Sequence, residues 1–199
     1  MNTFRTAALT AAAVALTIVP VTTATAAAPT PRFLSASQLP AAPTPWTADP
    51  VRKGLPAEGS VCTAKITPKA GSSYRDFRTD LDTGARQKTT IAPTTAAAKA
   101  LVAKLSASVA GCLDRLKEQY PTIEGETLYH GRVAVEEGAH IYSIDTSDTE
   151  IGSTDIALYA IGRDGRTVTV VEWGQLGDLD GAPLTGFKNT ARTAVAKLY

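Results

Sequence analysis

Catalytic signatures are the first thing this chain lacks. It has no Gly-x-Ser-x-Gly elbow, no phosphate-cradling glycine loop, no dinucleotide fingerprint and no paired-histidine metalloprotease helix. Only two histidines, His130 and His140, are available as a general base. They could act together with a nearby carboxylate as a hydrolase, or bind a metal with Glu136 or Glu137, but the four-ligand spacing of a structural zinc site is absent. Two ordinary surface or edge-strand histidines account for them more simply. No motif implies a cofactor. Charge of one sign is also lacking. The 20 basic residues face 19 acidic ones, and the one-charge difference disappears if Arg5 leaves with a leader. No basic stripe remains to hold nucleic acid or an anionic membrane. Beyond the N-terminal leader, no apolar run is long enough to cross a bilayer.

Cysteine is scarce as well, with Cys62 and Cys112 the whole supply. An even pair in an exported chain predicts one disulfide. Its long loop would contribute on the order of 4 kcal/mol by chain entropy. Export itself is read from residues 1–26: a charged start ending at Arg5, an apolar stretch from Ala7 to Val19, and the small residues Ala24-Thr25-Ala26 as a cleavage site. The expectation is a secreted protein with no membrane span after cleavage. A proline-rich arm, 27–50, carries a short helical turn and Trp46. A single α+β domain, 51–199, follows.

Periodicity supplies the elements. Leu101, Leu105, Val109, Cys112, Leu116 and Tyr120 recur every three or four residues between Pro93 and Pro121, predicting one long amphipathic helix capped by Thr94 or Thr95. Val61–Thr67 reads as a strand. Tyr74–Leu81 and Arg86–Ala92 read as a charged hairpin, with Phe77 and Leu81 facing one side. After Pro121 the period becomes two. Segments 126–135, 139–146, 154–163 and 167–173 predict a four-stranded antiparallel meander, its last turn marked by Asp164-Gly165. Tyr129, Val133 and Val135 should share one face of the first segment and His130 and Arg132 the other. Residues 184–199 form a closing helix with Phe187, Ala191, Ala194, Val195 and Leu198 on one side. Together these predict an antiparallel sheet, a meander plus an N-terminal hairpin, packed on one long and one C-terminal helix. Both helices are expected on one sheet face, leaving the other open to an extracellular ligand or protein. Trp46, His130, Arg132, His140, Tyr142, Arg163, Glu172 and Trp173 are the candidate binding residues. The acids around 145–155 and at Asp178 and Asp180 suit solvated loops better than a regular calcium loop. The loops 147–153 and 174–183 could serve as bait for a protease, an inhibitor reading that no local disulfide supports.

Several features together resemble a known group. They are Phe33-Leu34 with Leu39-Pro40, Cys62 ahead of a charged hairpin, the alanine-rich run Ala96-Ala97-Ala98-Lys99-Ala100-Leu101 leading to Cys112, and the closing run Ala191-Arg192-Thr193-Ala194-Val195-Ala196. Over roughly 33–199 the chain resembles the PknH-type extracellular sensor domains of actinobacterial serine/threonine kinases and their free secreted relatives. That resemblance implies an α+β domain with a ligand-binding cleft and a non-enzymatic, sensor-like role. Those domains often have four cysteines where this chain has two, and it has no kinase or membrane span. Signalling would therefore need a separate partner.

Overall fold

The computed structural model describes residues 30–63 and 65–199, and the leader 1–26 lies outside them. The strands are β1 (Thr47–Ala48), β2 (Arg52–Lys53), β3 (Ser72–Arg78), β4 (Gly84–Ile91), β5 (Ile123–Val133), β6 (Ala139–Asp148), β7 (Thr154–Asp164) and β8 (Thr167–Leu176). The helices are α1 (Thr95–Ala110), α2 (Cys112–Gln119) and α3 (Leu184–Ala196), with a 3-10 turn at Ala36–Gln38. All strands join one antiparallel sheet in the order β1-β3-β4-β8-β7-β6-β5, with β2 beside β3. The C-terminal meander is linear, as short turns between sequential strands favour. The N-terminal hairpin β3–β4 docks on its far end, through β8. The fold is α+β.

The two helical layers lie on opposite faces of this sheet, not on one. Phe187, Ala191, Ala194 and Val195 of α3 pack with Ile141, Leu158, Val171 and Trp173. Leu101, Leu105 and Val109 of α1 pack with Ile144, Ile161, Val168 and Val170. The reason lies in the strands. β7 is apolar from Ile156 to Ile161 apart from the Tyr159 hydroxyl, and β8 carries Val168 and Val170 on one face and Val171 and Trp173 on the other, so both faces of these strands require cover. The wholly open sheet face expected from two helices on one side is therefore absent.

The arm belongs to the α3 layer. Leu34 is fully buried. Its amide donates to Gln87 Oε1 at 2.7 Å, and Arg75 Nη1 donates to its carbonyl at 2.9 Å. Trp46 packs over the same core, its Nε1 donating to the Pro40 carbonyl at 2.7 Å.

The long helix is two helices. Thr94 caps α1 as expected, its hydroxyl accepting from the Ala97 amide at 3.0 Å. Gly111 then interrupts the ladder, and α2 departs at 46°. Glycine is a poor helix former, and Arg115 stabilises the break by donating to the carbonyls of Gly111 and Ser108. The bend directs Cys112 at Cys62, with 5.2 Å between their Cα atoms, so the expected disulfide is present.

Two expected strands differ. Around Cys62 the chain turns instead of extending, its amides satisfied locally: Thr63 by the Ser60 carbonyl, Ile66 and Thr67 by that of Thr63. β3 ends at Arg78, where Thr79 closes a tight turn onto Thr83, so Leu81 is exposed while Phe77 is buried.

Candidate functional site: a groove on the α1 side of the sheet

Antiparallel register places directly opposed residues on the same face. On the α1 side one row runs Asp76, Arg86, Glu172, Tyr159, Tyr142, Tyr129 across β3, β4, β8, β7, β6 and β5. The next row contains Gly84, Gly174 and Ala157, also in register. Three adjoining strands therefore present almost no side chain at one level. The result is a channel alongside the polar row, walled at one end by Val61 and Cys62 of the 58–63 loop. It comprises two adjoining depressions of about 510 and 390 Å³ that share Ala157, Tyr159 and Gly174. Leu116, Ile144 and the half-exposed Val61 supply apolar wall at one end, where Asp82 and Asp155 also stand, and Asp76 and Arg86 line the other.

Beneath the 58–63 loop lies a buried ion pair, an arrangement that is costly to desolvate. Lys88 is 2% exposed and Glu172 is 9% exposed. Lys88 Nζ donates to Glu172 Oε1 at 2.7 Å and to Thr63 Oγ1 at 2.5 Å, and Thr63 Oγ1 donates to the same carboxylate. Beside them the Tyr159 hydroxyl meets Ser60 Oγ at 3.1 Å. Burial first, and then the Glu172 carboxylate, push that phenol well above its ordinary range. It therefore stays protonated and serves as a hydrogen-bonding wall, not a base. Arg86 Nε pairs with Asp76 Oδ1, and its Nη1 donates to the Glu58 carbonyl at 2.6 Å. The cystine at Cys62 anchors this loop to the start of α2.

The candidate residues divide between the faces. Glu172 lines the groove, and Tyr142 lies in the same cross-strand row, buried against the α1 layer. Trp46 and Trp173 belong to the α3-side core, and His130 also lies on that side. Arg132, His140 and Arg163 gather at the other end of the α1 side. Arg132 reaches that face because β5 slips register between Tyr129 and Arg132, with Gly131 at φ +83°. This bulge puts Arg132 with Tyr129 and returns Val133 to the side of His130, reversing the expected grouping. Lys88, Thr63, Ser60 and the two strand glycines were not anticipated. The alternation of Arg86, Lys88 and Thr90 on one face of β4 was the available signal for Lys88.

His130 Nε2 does lie 2.8 Å from Ser143 Oγ. Ser143 is 1% exposed, however, so the pair secures the edge strand and offers no substrate a path to the hydroxyl. Three of the six acids singled out in the loops, Asp145, Asp148 and Asp178, cap backbone. Asp148 Oδ1 accepts from the amides of Glu150 and Ile151, Asp178 Oδ1 from Gly181, and Asp145 Oδ2 from Leu179. Among the described residues, no three His, Cys, Asp or Glu side chains converge on a point that could hold a metal.

Burial lowers the pKa of both histidines, reinforced by Lys188 at His130 and by Arg132 at His140. A group depressed in the fold takes up protons on unfolding once pH drops below its unfolded value, about 6.5. Stability should therefore fall as pH is lowered through and below that value. Urea midpoints between pH 7.5 and 5 should decline, and His130→Gln/His140→Gln should flatten the decline. An unchanged slope in the double variant refutes the assignment.

Comparison with protein-family models, with curated proteins and with solved structures gave no match for this chain.

Proposed function

We propose that this is an exported, non-enzymatic binding domain that takes an extracellular ligand into the groove floored by Gly84, Gly174 and Ala157. That is the sensor-like role implied by the resemblance to PknH-type domains. One observation carries the reading. Glycine inside a strand costs roughly 0.5–1 kcal/mol relative to alanine, and it is usually explained by left-handed backbone or by close approach of other chain atoms. Neither applies here. Gly174, within β8, does not have positive φ, and a Cβ there would meet nothing nearer than a carbonyl oxygen at 3.5 Å; Gly84, the first residue of β4, is equally open. What a side chain at Gly174 would obstruct is the groove itself, and close ligand approach is a recognised reason for a strand glycine.

The expected result follows from that geometry. Gly174→Val should fold and be at least as stable as the parent, because valine suits a strand. In a thermal-shift screen over cell-wall fragments, oligosaccharides and short peptides, the parent should respond to at least one class, and Gly174→Val should lose that response. Equal response by both proteins, or none by the parent, overturns the reading.

A further inference from the structure

The geometry points to a second site: a pocket for a phosphate- or sulfate-type oxyanion at the far end of the α1 side, formed by Lys99, Arg132, His140 and Arg163. It does not depend on the groove reading. The cavity holds about 380 Å³ and lies between α1, the β5–β6 turn and β7. That is within the range of small-molecule sites and larger than an oxyanion alone, so the anionic group would be carried on a larger molecule.

Two observations support it. The first is how Arg132 is held. The β5 bulge swings it onto this face, and its guanidinium lies against Gly138, where a Cβ would fall 1.8 Å from Nε. Gly138 also has φ +86°, so glycine is required there twice over. Arg132 Nη2 donates to the Glu137 carbonyl, and among the described residues no carboxylate pairs with the guanidinium. Its remaining donors are thus fixed in place without a counter-ion, and a guanidinium fork matches an oxyanion in bidentate geometry.

The second observation is the local charge. Lys99 from α1 and Arg163 from β7 line the same cavity, with Glu137 as its one acidic lining residue. Glu137 is engaged: its Oε1 accepts from Arg163 Nη1 at 2.8 Å, and the carboxylate also accepts from the Gly165 amide. Arg163 and Glu137 thus offset each other, and Lys99 and Arg132 remain as two cations with no paired acid among the described residues. Glu136 and Asp164 lie by the adjoining turns. His140 completes the wall, its Nδ1 bonded to the Tyr129 hydroxyl at 2.9 Å. Ser106 of α1 also lines the cavity.

The two histidines make the test internal, since His140 lies in the pocket and His130 on the opposite side near Lys188. Imidazole NMR of the mature protein should be followed during titration with inorganic phosphate and, separately, sulfate, with ionic strength held constant by chloride. Either anion should shift the His140 signals saturably and raise its pKa while leaving His130 unmoved. Arg132→Gln should weaken the apparent affinity at least tenfold without lowering Tm, and Lys99→Gln several-fold. Both positions are exposed, so neither variant threatens the fold. Parallel movement of both histidines, no saturable shift at His140, or unchanged affinity in Arg132→Gln would sink the proposal.

Discussion

Glu172→Leu alone should lower the unfolding free energy by about 3–5 kcal/mol, the usual consequence of leaving one member of a buried ion pair without its counterpart. The ammonium of Lys88 has no route to water and two oxygens for partners, Glu172 Oε1 and Thr63 Oγ1. Taking away the carboxylate leaves a cation facing a lone hydroxyl. The double variant Lys88→Met/Glu172→Leu substitutes an apolar pair of similar bulk and should recover most of the loss, because such replacements are often neutral or better. Urea unfolding of the parent, both single variants and the double variant gives the coupling directly. A single-variant loss below about 1 kcal/mol would mean that the pair is solvated and that the 58–63 loop does not cover it.

Cys62→Ala/Cys112→Ala should be nearly as costly, on the order of 4 kcal/mol by the entropy of the loop that the bond closes. Single domains have only about 5–15 kcal/mol in hand, so the reduced protein should lie close to its unfolding transition at 37 °C. The damage should also be local. The same bond holds Ser60 and Thr63 over Tyr159 and Glu172, so the reduced protein should show faster amide exchange at residues 60–67 than at β6 or β7. Uniform exchange across the sheet would show that the bond acts only through the unfolded chain.

Much of the architecture was legible from periodicity. The β6, β7 and β8 segments alternate or run continuously apolar, and the Asp164-Gly165 turn fixes the last hairpin, whose loop is Gly165-Arg166 with Gly165 at φ +53°. The helix faces were equally plain, because Leu101, Leu105 and Val109 keep strict spacing. Which side of the sheet each helix would cover was not legible. Period-two patterning assigns residues to two faces without saying what meets either. Gly111 was overlooked because apolar spacing continues through it to Cys112 and Leu116. The bulge at Gly131 was invisible for a similar reason: one extra residue inverts the phase of β5 while every side chain still looks acceptable locally. Of the candidate site, Glu172 was named but not its partner, since Lys88 on a strand reads as solvent-facing until β8 is laid beside it. The glycine floor needed three strands in register, and no single stretch of sequence carries that.

The seam between β4 and β8 has a bearing on how the molecule is made. The first hairpin leaves the ribosome long before the strand it must pair with, so the Gln87-Lys88-Thr89-Thr90 stretch has no ladder partner on that side until nearly the whole chain has emerged. Sheets closed by such distant pairings form slowly. Until the last strand arrives the hairpin stays undocked, so the two halves of the sheet join late and the Lys88–Glu172 pair can form only then.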